Sequence, residues 1–250
     1  MKSLKSILEA SILADIDDQL EAGDEVIKQQ IKEFINDNYY IYGDFTISDE
    51  PNKDGKYEVS AECVVSVKYK ECISLTNGLF IWKTVGMDFS CSKCNSLKSL
   101  EGAPKEVGQN FWCSECKSLK SLKGAPQKVG GSFYCNMCKG LKSLEGAPKE
   151  LDKHFYCTSC TSLTSLKGAP KEIDGNFNCA YCNSLTSLKD APKEVKGDFS
   201  CICCKKLTSL EGAPQKVGGD FDCFNCGANF AAFTKDDVKK ASNVKGEINC

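Results

Sequence analysis

Eighteen of the 250 residues are cysteine, and fourteen of those form seven C-x-x-C pairs. The pairs are Cys91/Cys94, Cys113/Cys116, Cys135/Cys138, Cys157/Cys160, Cys179/Cys182, Cys201/Cys204 and Cys223/Cys226. Two thiolates at that spacing can chelate Zn²⁺ or iron, and two neighbouring pairs together offer the four sulfurs of a closed site. The same residues can instead be buried ladders, because a free cysteine packs as a small hydrophobe. Functional disulfides are a third use. Redox catalysis by C-x-x-C needs a thiol acidified at a helix start, and no such context precedes any pair.

The frame that positions the pairs is a repeat. Phe89, Phe111, Phe133, Phe155, Phe177, Phe199 and Phe221 recur every 22 residues, each opening F-x-C-x-x-C. Six of the seven units continue x-x-L-x-S-L-x-[GD]-A-P-x-x-[VIL], with minor substitutions. Phe and the first Cys are two apart, so on a strand they share one face, which is the interior. The second Cys falls where the strand ends. The two Leu keep the following stretch turned inward, and Gly-Ala-Pro forbids a long helix. A unit of this size cannot bury its apolar face alone, so neighbours must stack. The expectation is a mainly β solenoid with one short parallel strand per coil, adjacent strands about 4.8 Å apart.

The phase extends past the clear units. Stepping back one period from Phe89, Cys94, Leu97 and Val107 reaches Val67, Cys72, Leu75 and Val85, a degenerate coil with Trp82 in the place of Pro104. Forward, Val244-Lys-Gly-Glu-Ile248-Asn-Cys250 copies the entry to a strand after an insertion whose Thr234 is placed to cap a short helix. Leu4, Ile7, Leu8, Ile12 and Leu13 form one helical stripe, and Val26, Ile27, Ile31, Phe34 and Ile35 another, with Gly23-Asp24 between. Residues 39–47 and 56–69 then alternate like strands around a turn at Pro51–Gly55. The organisation is therefore an N-terminal helical segment (1–40), a β cap with a degenerate first coil (41–86), seven repeats (87–228) and a C-terminal cap with a short helix and final strand (229–250).

Over residues 87–228 the units resemble the leucine-rich-repeat-like proteins of gut bacteriophages and their bacterial hosts. Glu101-Gly-Ala-Pro-Lys-Glu-Val-Gly and Phe133-Tyr-Cys-Asn-Met-Cys carry the likeness, as do the N-terminal MKSL and Pro51-Asn-Lys-Asp-Gly-Lys-Tyr-Glu-Val. The resemblance implies a right-handed, leucine-rich-repeat-like coil with an N-terminal α/β cap, and speaks to fold and origin. This chain departs from ordinary leucine-rich repeats in using Phe and Cys where Leu is usual on the strand.

Composition excludes several functions. All 32 basic residues are Lys, set against 34 acidic ones for a net charge of −2, so the basic footprint and the guanidinium readers of a nucleic-acid binder are absent. The single histidine, His154, excludes His-rich metal sites and argues against a Ser–His–Asp triad. No apolar run approaches the roughly 18 residues of a membrane span. Glu9, Asp15, Asp17 and Asp18 interrupt any apolar leader core, so a reducing cytosol is the expected compartment; the resemblance implies that of a bacterial host, with association with a virion as the alternative.

In the expected geometry the cysteine columns read as structural ladders. Side chains repeated in register point the same way, which suits neither a bridge nor a tetrahedral site. Tyr69 standing where a first Cys would be, while Cys72 keeps the second position, is easier for packing than for chelation. Cys203, in an outward column, and Cys250, at the end, are the thiols expected to be accessible. No cofactor and no catalytic group is expected. The outward strand column reads Ser90, Trp112, Tyr134, Tyr156, Asn178, Ser200, Asp222, with Met137 and Tyr181 one column over. Contiguous exposed aromatics mark interfaces; stacked pairs also stabilise a ladder by a few tenths of a kcal/mol each. The expected function is a non-catalytic interaction scaffold that binds a protein partner through Trp112, Tyr134 and Tyr156, with Met137 and Tyr181 at the margin. The alternative is a metal-binding (Zn or Fe) or redox-responsive protein built on the stacked C-x-x-C pairs.

Overall fold

A computed structural model describes residues 23–227 and 233–250; the stripe from Leu4 to Leu13 lies outside them. Residues 23–38 form helix α1, with Gly23 already helical. Its Ile31 and Ile35 are fully buried, and Phe34 meets Phe80 edge-on at 5.9 Å. The chain then runs through β1 (Tyr39–Ile41), β2 (Phe45–Ile47), β3 (Tyr57–Ala61) and β4 (Val65–Val67). These make a bent hairpin, β1 antiparallel to β4 and β2 antiparallel to β3. The turn falls at the expected Pro51–Gly55: Asn52 Oδ1 accepts the Asp54 and Lys56 N–H groups, and Gly55 takes φ +70°. The bend occurs at Gly43, where a Cβ would stand 2.9 Å from that of Cys63. It sends the two halves of the hairpin into two different sheets.

Behind this cap the chain is a β-solenoid. The Phe strands β6 (Phe89–Ser90), β8 (Phe111–Trp112), β10 (Phe133–Tyr134), β12 (Phe155–Tyr156), β14 (Phe177–Asn178), β16 (Phe199–Ser200) and β18 (Phe221–Asp222) pair parallel and in register. β4 precedes them and β20 (Ile248–Asn249) follows, so the ladder spans nine parallel strands with β1 at its edge. Each coil also carries a second strand, one more than the motif suggested. These are β5 (Phe80–Val85), β7 (Glu106–Val107), β9 (Lys128–Val129), β11 (Glu150–Leu151), β13 (Glu172–Ile173), β15 (Glu194–Val195), β17 (Lys216–Val217) and β19 (Asn243–Val244). The pairing is made by backbone groups whatever the side chain that follows the strand: Gly130 N–H reaches the Val107 carbonyl at 2.9 Å, and Lys196 N–H reaches that of Ile173 at 2.9 Å. A residue spacing that shows only one inward Val per coil hides this backbone pairing.

A coil thus has three runs: F-x-C, then C-x-x-L-x-x-L, then the x-V strand. The first corner is a left-handed residue before the second Cys, from Lys93 to Asn225, at φ +56° to +65° without a glycine among them. The second is the Gly of Gly-Ala-Pro; at Gly124, φ is +88° and a Cβ would lie 2.4 Å from the Glu101 nitrogen. The interior stacks like on like. The Phe rings lie 5.0–5.8 Å apart from coil to coil, mostly near parallel, and both Cys columns and both Leu columns are buried.

The ends follow the traced phase, with one correction. Val85 pairs with Val107 and Leu75 is fully buried, as one period requires. The partner of Phe89, however, is Val65 and not Val67, because two extra residues lie between β4 and Tyr69. At the other end α2 (Lys235–Ala241) starts at Thr234 with a reciprocal capping box to Asp237. β19 and β20 then rejoin β17 and β18 in register.

Candidate functional site

The thiols come first, since their spacing invited the most chemistry. Each second-column Sγ donates to the carbonyl of the first Cys one coil back: Cys116 to Cys91, Cys138 to Cys113 and Cys160 to Cys135, all at 3.1 Å. Cys182, Cys204 and Cys226 repeat the bond to Cys157, Cys179 and Cys201. In the degenerate coil Tyr69 supplies the carbonyl, at 3.7 Å from Cys94 Sγ, while its ring stays exposed. A small donor is what a carbonyl buried at a corner requires, since an unpaired one is costly. Among the described residues no three Cys, His, Asp or Glu side chains gather as metal donors.

Hydrogen bonds with the adjoining thiols, together with burial, push the thiols of Cys91, Cys157 and Cys201 well above the usual range, and burial foremost does so for Cys113 and Cys135. Cys116 and Cys226 are drawn below it by hydrogen bonds to Cys91 and Cys94, and to Cys201 and Cys204, yet neither reaches solvent. Cys72 is also lowered, through Cys94 first, and is only half-buried.

Two expectations about thiols are corrected. Cys250 is bridged to Cys223, with Cα atoms 4.7 Å apart. It occupies the first-Cys column of the last coil, so in-register spacing does place Cα atoms within disulfide range. Cys203 is buried: it shares its column with Tyr181 and Asn225, whose Nδ2 lies 3.4 Å from the sulfur.

The polar ladder beside the Phe column was not singled out from sequence. The residue before each Phe accepts the backbone N–H of its counterpart one coil on. Asp88, Asn110, Ser132, His154, Asn176, Asp198 and Asp220 form the series, at 2.7–3.4 Å. His154 takes part through Nδ1, which accepts from Asn176 at 2.8 Å; the lone histidine is a rung. The signal was present, since every residue at that position has a side-chain acceptor.

The outward column of the Phe sheet brings the expected aromatics together. Trp112 and Tyr134 stack with centroids 3.8 Å apart and planes 4° from parallel, and Tyr134 and Tyr156 stack at 5.2 Å. His154 leans on Tyr156 at 5.6 Å. Burial, then the neighbouring Tyr134, raises the Tyr156 hydroxyl above its usual value, so it stays a donor. The three rings are half-buried, with their faces turned to one another. Met137 and Tyr181 are exposed, and both sit at left-handed corners and not on the strands. The exposed aromatics Tyr40, Tyr42 and Phe224 were missed. Tyr40 lies in the same outward column, opposite Ser66, and Phe224 ends a corner column that turns apolar through Ala180 and Ile202.

Comparison with protein-family models, with curated proteins and with solved structures returned no match. No helix among the described residues is long and apolar enough to cross a membrane.

Proposed function

We propose that the protein is a non-catalytic scaffold whose Phe-sheet face binds a protein partner. The observation that carries the reading is the outward stack Trp112–Tyr134–Tyr156, bordered by exposed Met137 and Tyr181. A rigid aromatic strip offers large contact area with little entropy to lose, which is what interface cores use. Rings stacked on one another present their edges, with the Tyr hydroxyls and the Trp N–H as donors. That suits a protein surface better than nucleic-acid bases, which need a free ring face. Among the described residues no three metal donors gather, and the second-column thiols are committed to carbonyls, which gives the metal reading less support.

The test is site-directed photo-crosslinking in host extract from position 134, from position 137 and, as a control on the opposite strands, from position 172. The reading requires one shared partner from the first two positions and none from the third. It also requires that Trp112→Ser/Tyr134→Ser/Tyr156→Ser fold and lose that partner. Loss of folding would make the strip structural, and retention of the partner would move the interface elsewhere.

A further inference from the structure

Of the sixteen free cysteines among the described residues, Cys72 is half-buried and the other fifteen are buried. The cause is its place at the start of the second Cys column. From Cys94 to Cys226 each of these sulfurs donates to a carbonyl one coil back. A cap and not a coil precedes Cys72, so its Sγ turns to the Ser74 carbonyl of its own loop, at 2.9 Å. A cavity of about 540 Å³ opens beside it, lined by Phe34 and Asn38 of α1 and by Tyr69, Ile73 and Thr76. Tyr69 and Ile73 are exposed, which leaves the sulfur open to a small solute.

Behind Cys72 stands a second sulfur. Cys72 makes the same turn as Cys94 one period on: its N–H donates to the Tyr69 carbonyl at 3.2 Å, as that of Cys94 does to the Cys91 carbonyl at 3.4 Å. The two therefore stack in one column at the coil spacing, about 4.8 Å, inside the range of Cα separations that a disulfide spans. Cys223 and Cys250 are a same-column pair one coil apart that is bridged. Tyr69 stands where the first Cys of the degenerate coil would be, so Cys72 has no C-x-x-C partner, and Cys94 is the sulfur beside it. The hydrogen bond with Cys94 draws the Cys72 thiol below its usual value, against the burial that raises it. Cys94 itself is buried. An accessible, acidified thiol backed by a closed-off one is the arrangement in which a thiolate is oxidised and then resolved.

We propose that Cys72 and Cys94 are a peroxide-responsive pair, in which Cys72 is oxidised by a hydroperoxide and Cys94 closes a disulfide to it. The Cys72 thiolate attacks one peroxide oxygen, the O–O bond breaks, and the other oxygen leaves with the electron pair and takes up a proton. Cys72 is then a sulfenic acid. Cys94 attacks that sulfur; the S–S bond forms as the S–O bond breaks, and the hydroxyl leaves as water with the Cys94 proton. With hydrogen peroxide the sum is two thiols and one peroxide giving one disulfide and two waters. The bridge ties the degenerate coil to the first full one. It uses no residue of the aromatic strip and stands or falls separately from the partner-binding reading.

The test treats the whole chain with stoichiometric hydrogen peroxide, blocks the remaining thiols and maps bridges by mass spectrometry after trypsin. Lysines isolate the two residues: Glu71–Lys83 and Cys94–Lys98 each carry a single cysteine. A link between those two peptides, reversed by dithiothreitol, should be the first new bridge. Cys94→Ser, which keeps a hydroxyl donor for the Tyr69 carbonyl, should instead accumulate a dimedone adduct at Cys72. Cys72→Ser should slow peroxide-dependent thiol loss by about tenfold or more, because the remaining free thiols are closed off. Cys226→Ser should oxidise like wild type, since the Cys226 sulfur lies 4.0 Å from that of Cys201 yet is shut from solvent. A first bridge at Cys201–Cys226 would overturn the proposal. So would a Cys72-linked dimer in place of the internal bridge, absence of the dimedone adduct in Cys94→Ser, or unchanged thiol loss in Cys72→Ser.

Discussion

The Phe sheet runs unbroken from β1 to β20, whereas the opposite strands form two sheets, β2 to β11 and β13 to β19. No backbone pairing joins Glu150–Leu151 to Glu172–Ile173, although the coils rejoin one corner later, where Gly175 N–H reaches the Lys153 carbonyl at 3.0 Å. A cleft of about 710 Å³ opens at the split, lined by Gln127, Pro148, Lys149, Pro170 and Glu172 among others. The two faces have the same period and the same number of coils, so periodicity does not decide continuity. The Phe sheet is held three times over: by stacked rings, by the Asp/Asn/Ser/His acceptor ladder and by the thiol–carbonyl bonds. The opposite face has one inward residue per coil. That column is Val85, Val107, Val129, Leu151, Ile173, Val195, Val217 and Val244, and the split falls at its one residue not branched at Cβ. Leu151 is also 8% exposed, against at most 1% for Val129 and Ile173 on either side. Redundant pairing on one face tolerates variation that breaks the other.

The largest contrast should appear in thiol reactivity. The first-column thiols behind the Phe sheet are closed off and, from Cys91 to Cys157 and at Cys201, raised in pKa, so they should label only through opening of the fold. Cys72, half-buried and lowered, should label in the native state. For a stability of about 5 kcal/mol, opening slows labelling by several thousandfold. Mass spectrometry of pulse-labelled protein reads this directly, and rapid native labelling of Cys113 or Cys135 would break the account.

Next in size is the ring column. Phe155→Ala leaves a cavity between two stacked rings and should cost about 3–5 kcal/mol in denaturant unfolding. A cost under about 1 kcal/mol would show that the stack is not what holds the face.

The acceptor ladder should contribute less. Asn176 Oδ1 takes the Asp198 N–H at 3.0 Å, and Asn176→Ala leaves that donor unpaired at a part-buried corner. The expected loss is about 1–2 kcal/mol, with faster hydrogen exchange at Asp198. His154→Asn keeps an acceptor and should be nearly neutral, whereas His154→Leu should behave like Asn176→Ala.

The smallest effect sharpens the comparison most. Leu151→Ile restores β-branching at the split and should gain less than about 1 kcal/mol. The amides of residues 172–174 should then exchange more slowly as β11 and β13 pair. Unchanged exchange would place the cause of the split at some residue other than Leu151.

Some of this was legible in the chain before any coordinates. The 22-residue period, the inward Phe, Cys, Leu and Val columns, the capped helix at Thr234 and the re-entry at Val244 follow from spacing. A residue's phase in a stacked repeat dictates which neighbours it meets, so burial can be read from position alone. The outward column of Trp112, Tyr134 and Tyr156 was equally visible, because whatever is not inward on a strand must face out. What the spacing did not contain were properties of backbone approach between coils. The second strand per coil depends on carbonyls and N–H groups that every residue has. The left-handed corners at Met137 and Tyr181, the burial of Cys203, the shift from Val67 to Val65, the Cys223–Cys250 bridge and the split at Leu151 each depend on distances between coils. A period counts residues along one coil, and only the packed structure sets how closely each coil approaches the next.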